Sequence, residues 1–145
     1  MPRLKLTPLP AYPFACEIVV RTTDLNYGGH LGNDRLLALA HEARVAFLQS
    51  HGWSELDCGG PSLIMGDAAI VFQAEAFAGD LLRCEAGAAE AGRTGFRLFI
   101  RMTRPADGAV VALVETGLVC FDYRARRPVA LPAAVRAVCA PADGA

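Results

Sequence analysis

CEIVVRTTDLNYGGHLGNDRLLALAHEARVAFL, residues 16–48, contains the transition that decides the fold. Its first part is β-branched, and residues 15–24 read as a strand. Its last part changes period. Leu36, Leu39, Ala40, Ala43 and Phe47 recur at helical spacing, which predicts a helix over 33–52 with Gly52 as its stop. Leu37, Val45, Ala46 and Leu48 occupy other faces of that helix. It is therefore apolar over most of its circumference and is expected to be largely wrapped by other elements.

Four strand-like runs follow, at roughly 62–76, 80–91, 94–104 and 109–123. Turn-forming pairs separate them at Gly79-Asp80, Gly92-Arg93 and Ala106-Asp107-Gly108. In FRLFIRM, Phe96, Leu98, Ile100 and Met102 alternate with Arg97, Phe99 and Arg101, which predicts one buried and one open face. The order is a strand, one helix, then four strands read as successive antiparallel hairpins. A curved sheet wrapped around a single helix satisfies it, an α+β arrangement.

The chain has 145 residues, the size of one domain, so 1–145 is expected to form a single unit. Prolines at 2, 8, 10 and 13 keep residues 1–13 out of a helix, as an extended arm, and APADGA (140–145) reads as a loose tail. Hydrophobic residues make up 53%, more than a small monomer usually buries, which points to a homo-oligomer. A net charge of −1 gives no general affinity for nucleic acid. The N-terminus lacks the apolar core of a signal peptide, and no run approaches a membrane span, so a cytoplasmic protein without membrane contact is expected. Five cysteines, an odd number with no C-x-x-C pair, argue against a metal site or a disulfide framework. Cys16, Cys84 and Cys120 lie in apolar runs and read as small buried hydrophobes.

The junction DLNYGGHLGND (24–34) concentrates the polar and permissive residues. Asn33 directly precedes the helical pattern and suits an N-cap; Asp34 then complements the helix dipole. Gly28, Gly29 and Gly32 allow close approach of a ligand, and a glycine-lined turn entering a helix exposes free amides able to hold a developing oxyanion. Asp24 lies too far upstream to cap the helix. A carboxylate beside exposed amides suits attack on an activated carbonyl, as base or nucleophile; the alternative is an Asx-turn. His30 has three open roles: positioning water, binding a carboxylate, or packing in the loop. Glu42 sits mid-helix, where a buried carboxylate requires a partner such as Arg35 or Arg44. Arg124, Arg126 and Arg127 cluster after the last strand, able to hold phosphates or simply to be solvated.

TTDLNYGGHLGNDRLLALAHEARVAFL resembles the entry segment of hot-dog-fold acyl-CoA thioesterases of the 4-hydroxybenzoyl-CoA thioesterase type. Asp24, Asn33 and HEAR (41–44) match the family's strand-end Asp, helix-start Asn and helix motif. VFQAEAFAGDLLRCE (71–85) and GRTGFRLFIRM (92–102) are similar to its hairpins, so the likeness spans roughly residues 14–130. Where many bacterial members have Tyr-His-Ala-Asn, this chain has HLGN, which is similar to the H-x-N-N pattern of plant acyl-carrier-protein thioesterases. A second branch of the fold uses a helix glutamate; Glu42 lies near the start of the helix, but its match to E-E-A-R members implies a general helix feature rather than that role.

The resemblance implies a hot-dog fold, a five-stranded curved antiparallel sheet around one long central helix. It also implies hydrolysis of an acyl-CoA or acyl-carrier-protein thioester without cofactor or metal. Asp24, His30 and Asn33 then form the catalytic set. Asn26, Tyr27, Gly28, Gly29 and Leu31 line the substrate, with the amides near Gly28–Leu31 as oxyanion donors, and Arg124 and Arg126 meet the CoA phosphates. A homodimer or homotetramer with sites between subunits completes it. DLNYGGH also resembles the D-x-N-P-x-H of hot-dog hydratases, without the Pro and with one extra residue, so a hydratase or dehydratase is the second reading. A non-catalytic acyl-CoA-binding protein is the third.

Overall fold

In the computed structural model, which describes residues 1–141, the chain runs β1 (Phe14–Val19), a 3-10 turn at Thr22–Asp24, α1 (Asn33–Ser50), β2 (Ser62–Phe72), β3 (Leu81–Ala89), β4 (Gly95–Arg104), β5 (Ala109–Asp122), β6 (Arg127–Pro128) and α2 (Ala133–Val138). All strands join one antiparallel sheet in the order β1-β3-β4-β5-β2, with the two-residue β6 on β5. The expected curved sheet around one long helix is the architecture found.

The pairing differs from successive hairpins. β3-β4 and β4-β5 are hairpins, but β2 pairs with β5 and β3 with β1. Turn chemistry at Gly79-Asp80 could not reveal this. Asp80 accepts a bond from Val20 of the first-strand exit, so that turn belongs to the β1–β3 ladder. The first strand is also shorter than expected: after Val19 the chain bends, and Thr22–Asp24 form a 3-10 turn.

The helix presents Leu36, Leu39, Ala40, Ala43 and Phe47 to the sheet, where they meet a core including Leu82, Cys84, Leu98, Ile100 and Leu118. It lies over β1, β3 and β4. A single sheet covers one side of a helix, so Ala38, His41 and Glu42 stay exposed rather than wrapped. Glu42 needs no buried partner. Arg44 pairs instead with Glu55, Nε to Oε1 2.8 Å, and His41 Nε2 lies 2.9 Å from the same oxygen.

Because α1 sits toward β1, the far side of the sheet is left open. On β2, Met65, Ala68, Ile70 and Phe72 share the concave face through their register with Leu118, Thr116, Val114 and Ala112. Met65 and Phe72 are 43% and 45% exposed. A bulge falls between Met65 and Asp67.

The convex face is polar but covered in part. Arg97 binds Glu115 and forks onto Asp67, while Arg101 binds Glu85 and lies 4.8 Å from the Tyr12 ring centroid. Leu9 and Pro13 lie over Gly87, the register partner of Phe99. That arm explains why Phe99 is buried on the face read as open. Ala140 donates to the Ala88 carbonyl, so the chain is tied to β3 at that point; the rest of the expected tail, 142–145, lies outside the described residues.

All five cysteines are free thiols. Burial pushes the Cys58 and Cys84 thiols up to about 12, and for Cys84 this agrees with its reading as a small hydrophobe. Among the described residues no helix is long and apolar enough to cross a membrane.

Candidate active site

Residues 25–31 form a compact loop closed by the bridge between Leu25 and Leu31 and by the bond from Asn26 N–H to the His30 carbonyl, 2.8 Å. Asn26 organises it. Its side-chain Oδ1 accepts from Gly28 N–H at 2.9 Å and His30 N–H at 3.5 Å, and its carbonyl accepts from Gly29 N–H at 3.1 Å. Gly29 closes that turn at φ +80°, a conformation that other residues rarely adopt. Gly28 is needed for space: a Cβ there would lie 3.2 Å from His30 Nε2 and 3.3 Å from Asn26 Oδ1. The missing side chain is what lets the imidazole fold back over the turn.

The loop forms one wall of a cleft of about 530 Å³ lined by Asn26, Tyr27, His30, Leu31, Asn33 and Leu36. The opposite wall is the last residue of β2, Phe72, and the stretch that follows it to Ala76, with Val111 from β5. A bond from Leu31 N–H to the Ala76 carbonyl, 2.8 Å, joins the two walls. Leu36, Phe72 and Val111 make an apolar region; Asn26, His30, Asn33, Gln73 and Glu75 supply polar groups. Such a mixture suits a ligand with an apolar body and one polar reacting group. Among the described residues the His30 ring has no hydrogen-bond partner in the protein, so both nitrogens are free for a ligand or water.

Asn33 is the first helical residue rather than the cap. Gly32 takes the cap position in an extended conformation, its N–H donating to the Asp24 carbonyl and its carbonyl accepting from Leu36. The amides of Gly28, Gly29, His30, Leu31 and Gly32 are thus all committed inside the protein, so the expected donors near Gly28–Leu31 are not free. The free donors lie one step on, in the first turn of α1, where helix geometry leaves Asn33, Asp34 and Arg35 without an acceptor. Of these residues, Asn33 borders the cleft.

Asp24, expected to supply the base or nucleophile, does not line the cleft. It is 1% exposed, and its carboxylate accepts from Arg21 backbone N–H at 2.9 Å, Arg21 Nε at 3.2 Å and Arg21 Nη2 at 3.3 Å. Burial pushes this carboxyl up, but the Arg21 hydrogen bonds and charge outweigh it and hold the group below its usual range. The β-branched run conceals this: it predicts a strand through residue 24, whereas β1 ends at Val19 and the 3-10 turn directs the Asp24 side chain back onto Arg21. Asp24 and His30 accordingly do not face one space, which the hydratase reading requires.

Arg124 and Arg126 follow the far end of β5, while Val111 near its start borders the cleft. At about 3.3 Å per residue that is a separation on the order of 30 Å, so neither arginine serves its own chain's cleft. Phe72, Gln73, Glu75, Leu36 and Val111 were not picked out from the sequence as site residues. The stretch 62–76 reads as one strand, yet pairing stops at Phe72, and the amides of Gln73 and Ala74 both turn to the Val111 carbonyl.

The sequence profile described as "Thioesterase-like superfamily" matches residues 20–139. No match was found among curated proteins. Among solved structures the chain is similar to Slr0204, a 1,4-dihydroxy-2-naphthoyl-CoA thioesterase from Synechocystis, at 24% identity and TM-score 0.78, over 86% of this chain and 93% of that one. It is also similar to a thioesterase from Thermus thermophilus complexed with coenzyme A and Zn, at 23% identity and TM-score 0.75, over 88% and 98%. YbaW from Escherichia coli, a probable thioesterase, aligns at 22% identity and TM-score 0.69, over 85% and 93%. With the profile spanning most of its length and the fold shared over 86% of the chain, the chain belongs to the thioesterase-like superfamily and has the hot-dog fold.

Proposed function

We propose that the chain hydrolyses acyl-CoA thioesters, or their acyl-carrier-protein counterparts, in the cleft between the 25–33 loop and the 72–76 stretch. The observation that carries this reading is the shared cleft. An imidazole without a protein partner and a first-turn helix residue, Asn33, border one space floored by Leu36, Phe72 and Val111. The thioester carbonyl sits at the helix start, where the Asn33 N–H donates to the developing oxyanion. His30 holds the attacking water or the departing sulfur, and Asn26 keeps His30 in place. The acyl group lies along the apolar residues. Within this reading Asp24 acts on the junction, not on the substrate: with Arg21 it fixes the turn whose carbonyl holds Gly32.

The same reading includes a homodimer. β2 is an eleven-residue edge strand whose concave face leaves Met65 and Phe72 open, beside Leu37 and Ala38 of α1. A long apolar edge is a template for another strand, and a second copy meets it by symmetry. Such pairing supports a site completed across subunits, and it offers Arg124 and Arg126 a neighbour's cleft.

The test is hydrolysis of a panel of short, long and aromatic acyl-CoAs, with an acyl-carrier-protein arm, followed by thiol trapping. Wild type turns over at least one member, and His30→Ala lowers kcat by roughly 100-fold. Tight acyl-CoA binding without turnover would favour a binding protein. Loss of the enoyl absorbance of crotonyl-CoA would favour the hydratase.

A further inference from the structure

We infer that Glu75 is the carboxylate that activates water in this cleft, and that Arg104 positions it. The inference rests on the proposed hydrolysis at this site. Of the residues lining the cleft, Glu75 alone carries a carboxylate; Asp24 is not among them and is held by Arg21. Glu75 stands on the wall opposite His30, with its side chain exposed.

Its backbone is fixed from three directions. Gln73 and Ala74 donate to the Val111 carbonyl at 2.8 and 3.2 Å, and the Ala76 carbonyl accepts from Leu31 N–H at 2.8 Å. The Glu75 carbonyl itself accepts from Arg104 Nη1 at 2.5 Å. Arg104 is anchored in turn by Asp107, through Nε at 3.0 Å and Nη2 at 2.9 Å, and its Nη1 lies 3.7 Å from Asp80. A short stretch outside any strand is thus held rigid, and its one ionisable side chain is left free at the cleft. That is the arrangement of a general base: fixed attachment and, among the described residues, no competing ion pair.

The step balances without a cofactor. The Glu75 carboxylate takes a proton from water as the water oxygen bonds to the thioester carbon. The oxyanion forms at the Asn33 amide. On collapse the carbon–sulfur bond breaks, the electron pair leaves with sulfur, and the proton held by Glu75 passes to it. The products are a carboxylic acid and a thiol.

The experiment is the pH profile of kcat on the best acyl-CoA for wild type, Glu75→Gln, Glu75→Asp and Arg104→Met, with coenzyme A binding measured in parallel as a check on folding. Glu75→Gln is expected to lose at least ~100-fold in kcat with KM within about threefold, and to lose the acid limb of the profile. Glu75→Asp recovers part of the rate and the limb. Arg104→Met falls by roughly tenfold and keeps the limb, because the base is still present but misplaced. Full turnover with an unchanged acid limb in Glu75→Gln, alongside an inactive His30→Ala, overturns the assignment of Glu75 and leaves the hydrolase reading standing. Absence of hydrolysis in wild type across the whole panel overturns both.

Discussion

A missing side chain at Gly28 is as functional as the imidazole it accommodates. The His30 ring occupies the space that a Gly28 Cβ would crowd at 3.2 Å, and Asn26 Oδ1 holds the amides on either side of the turn. Gly28→Ala is therefore expected to displace His30 and lower kcat by roughly tenfold while the melting temperature changes little, since the loop is exposed. Asp24 behaves in the opposite way. Asp24→Asn weakens a hydrogen-bonded charged acceptor, a loss of about 1 kcal/mol; Arg21 reaches it from solvent, so the ion pair adds little more. The sign of the pH effect follows from the lowered carboxyl. Its contribution is fully present above its ordinary value of about 3.9 and is lost as pH falls through the lower folded-state value. Acid titration of wild type and Asp24→Asn, followed by circular dichroism, should show a shallower acid-side loss in the variant. A 100-fold drop in kcat without change in melting temperature would instead place Asp24 in the chemistry.

At the level of elements, periodicity carried most of the fold. The helix was legible because Leu36, Leu39, Ala40, Ala43 and Phe47 are one buried stripe, and β4 because Phe96, Leu98, Ile100 and Met102 alternate into the core. What periodicity does not encode is which strand pairs with which. The β2–β5 and β1–β3 ladders join residues far apart in sequence, and their register is set by packing rather than by any local turn. The site was legible in part. The loop announced itself through its glycines, Asn26 and His30, but its facing wall lies over forty residues away, in a stretch whose β-branched run hides where the strand stops. Phe72 is the element-scale test. It ends β2 on the concave face and borders the cleft, so Phe72→Ala enlarges the acyl space. The expected result is a shift of preference toward bulkier acyl groups, read as the ratio of kcat/KM between long and short thioesters, of about 10-fold.

For the whole molecule the governing asymmetry is that α1 lies mainly over β1, β3 and β4 and leaves Met65, Ala68 and Phe72 of β2 exposed. If a second copy closes that face, a charge placed there should separate the subunits. Ala68→Arg, exposed on the concave side of the edge strand, is expected to convert a dimer to a monomer in light scattering, with loss of turnover if the cleft is completed across subunits. A wild type that is monomeric at all concentrations would end that reading.

The bond from Leu31 N–H to the Ala76 carbonyl, which ties the two walls of the cleft, also provides a built-in reporter. The Leu31 amide exchanges its proton with solvent only when the walls part. Its deuteration rate is thus a measure of how often the cleft opens, legible before any substrate is known. A small molecule that bridges the walls should slow exchange at Leu31 while leaving the helix core unchanged, so a library can be screened for ligands by one amide signal.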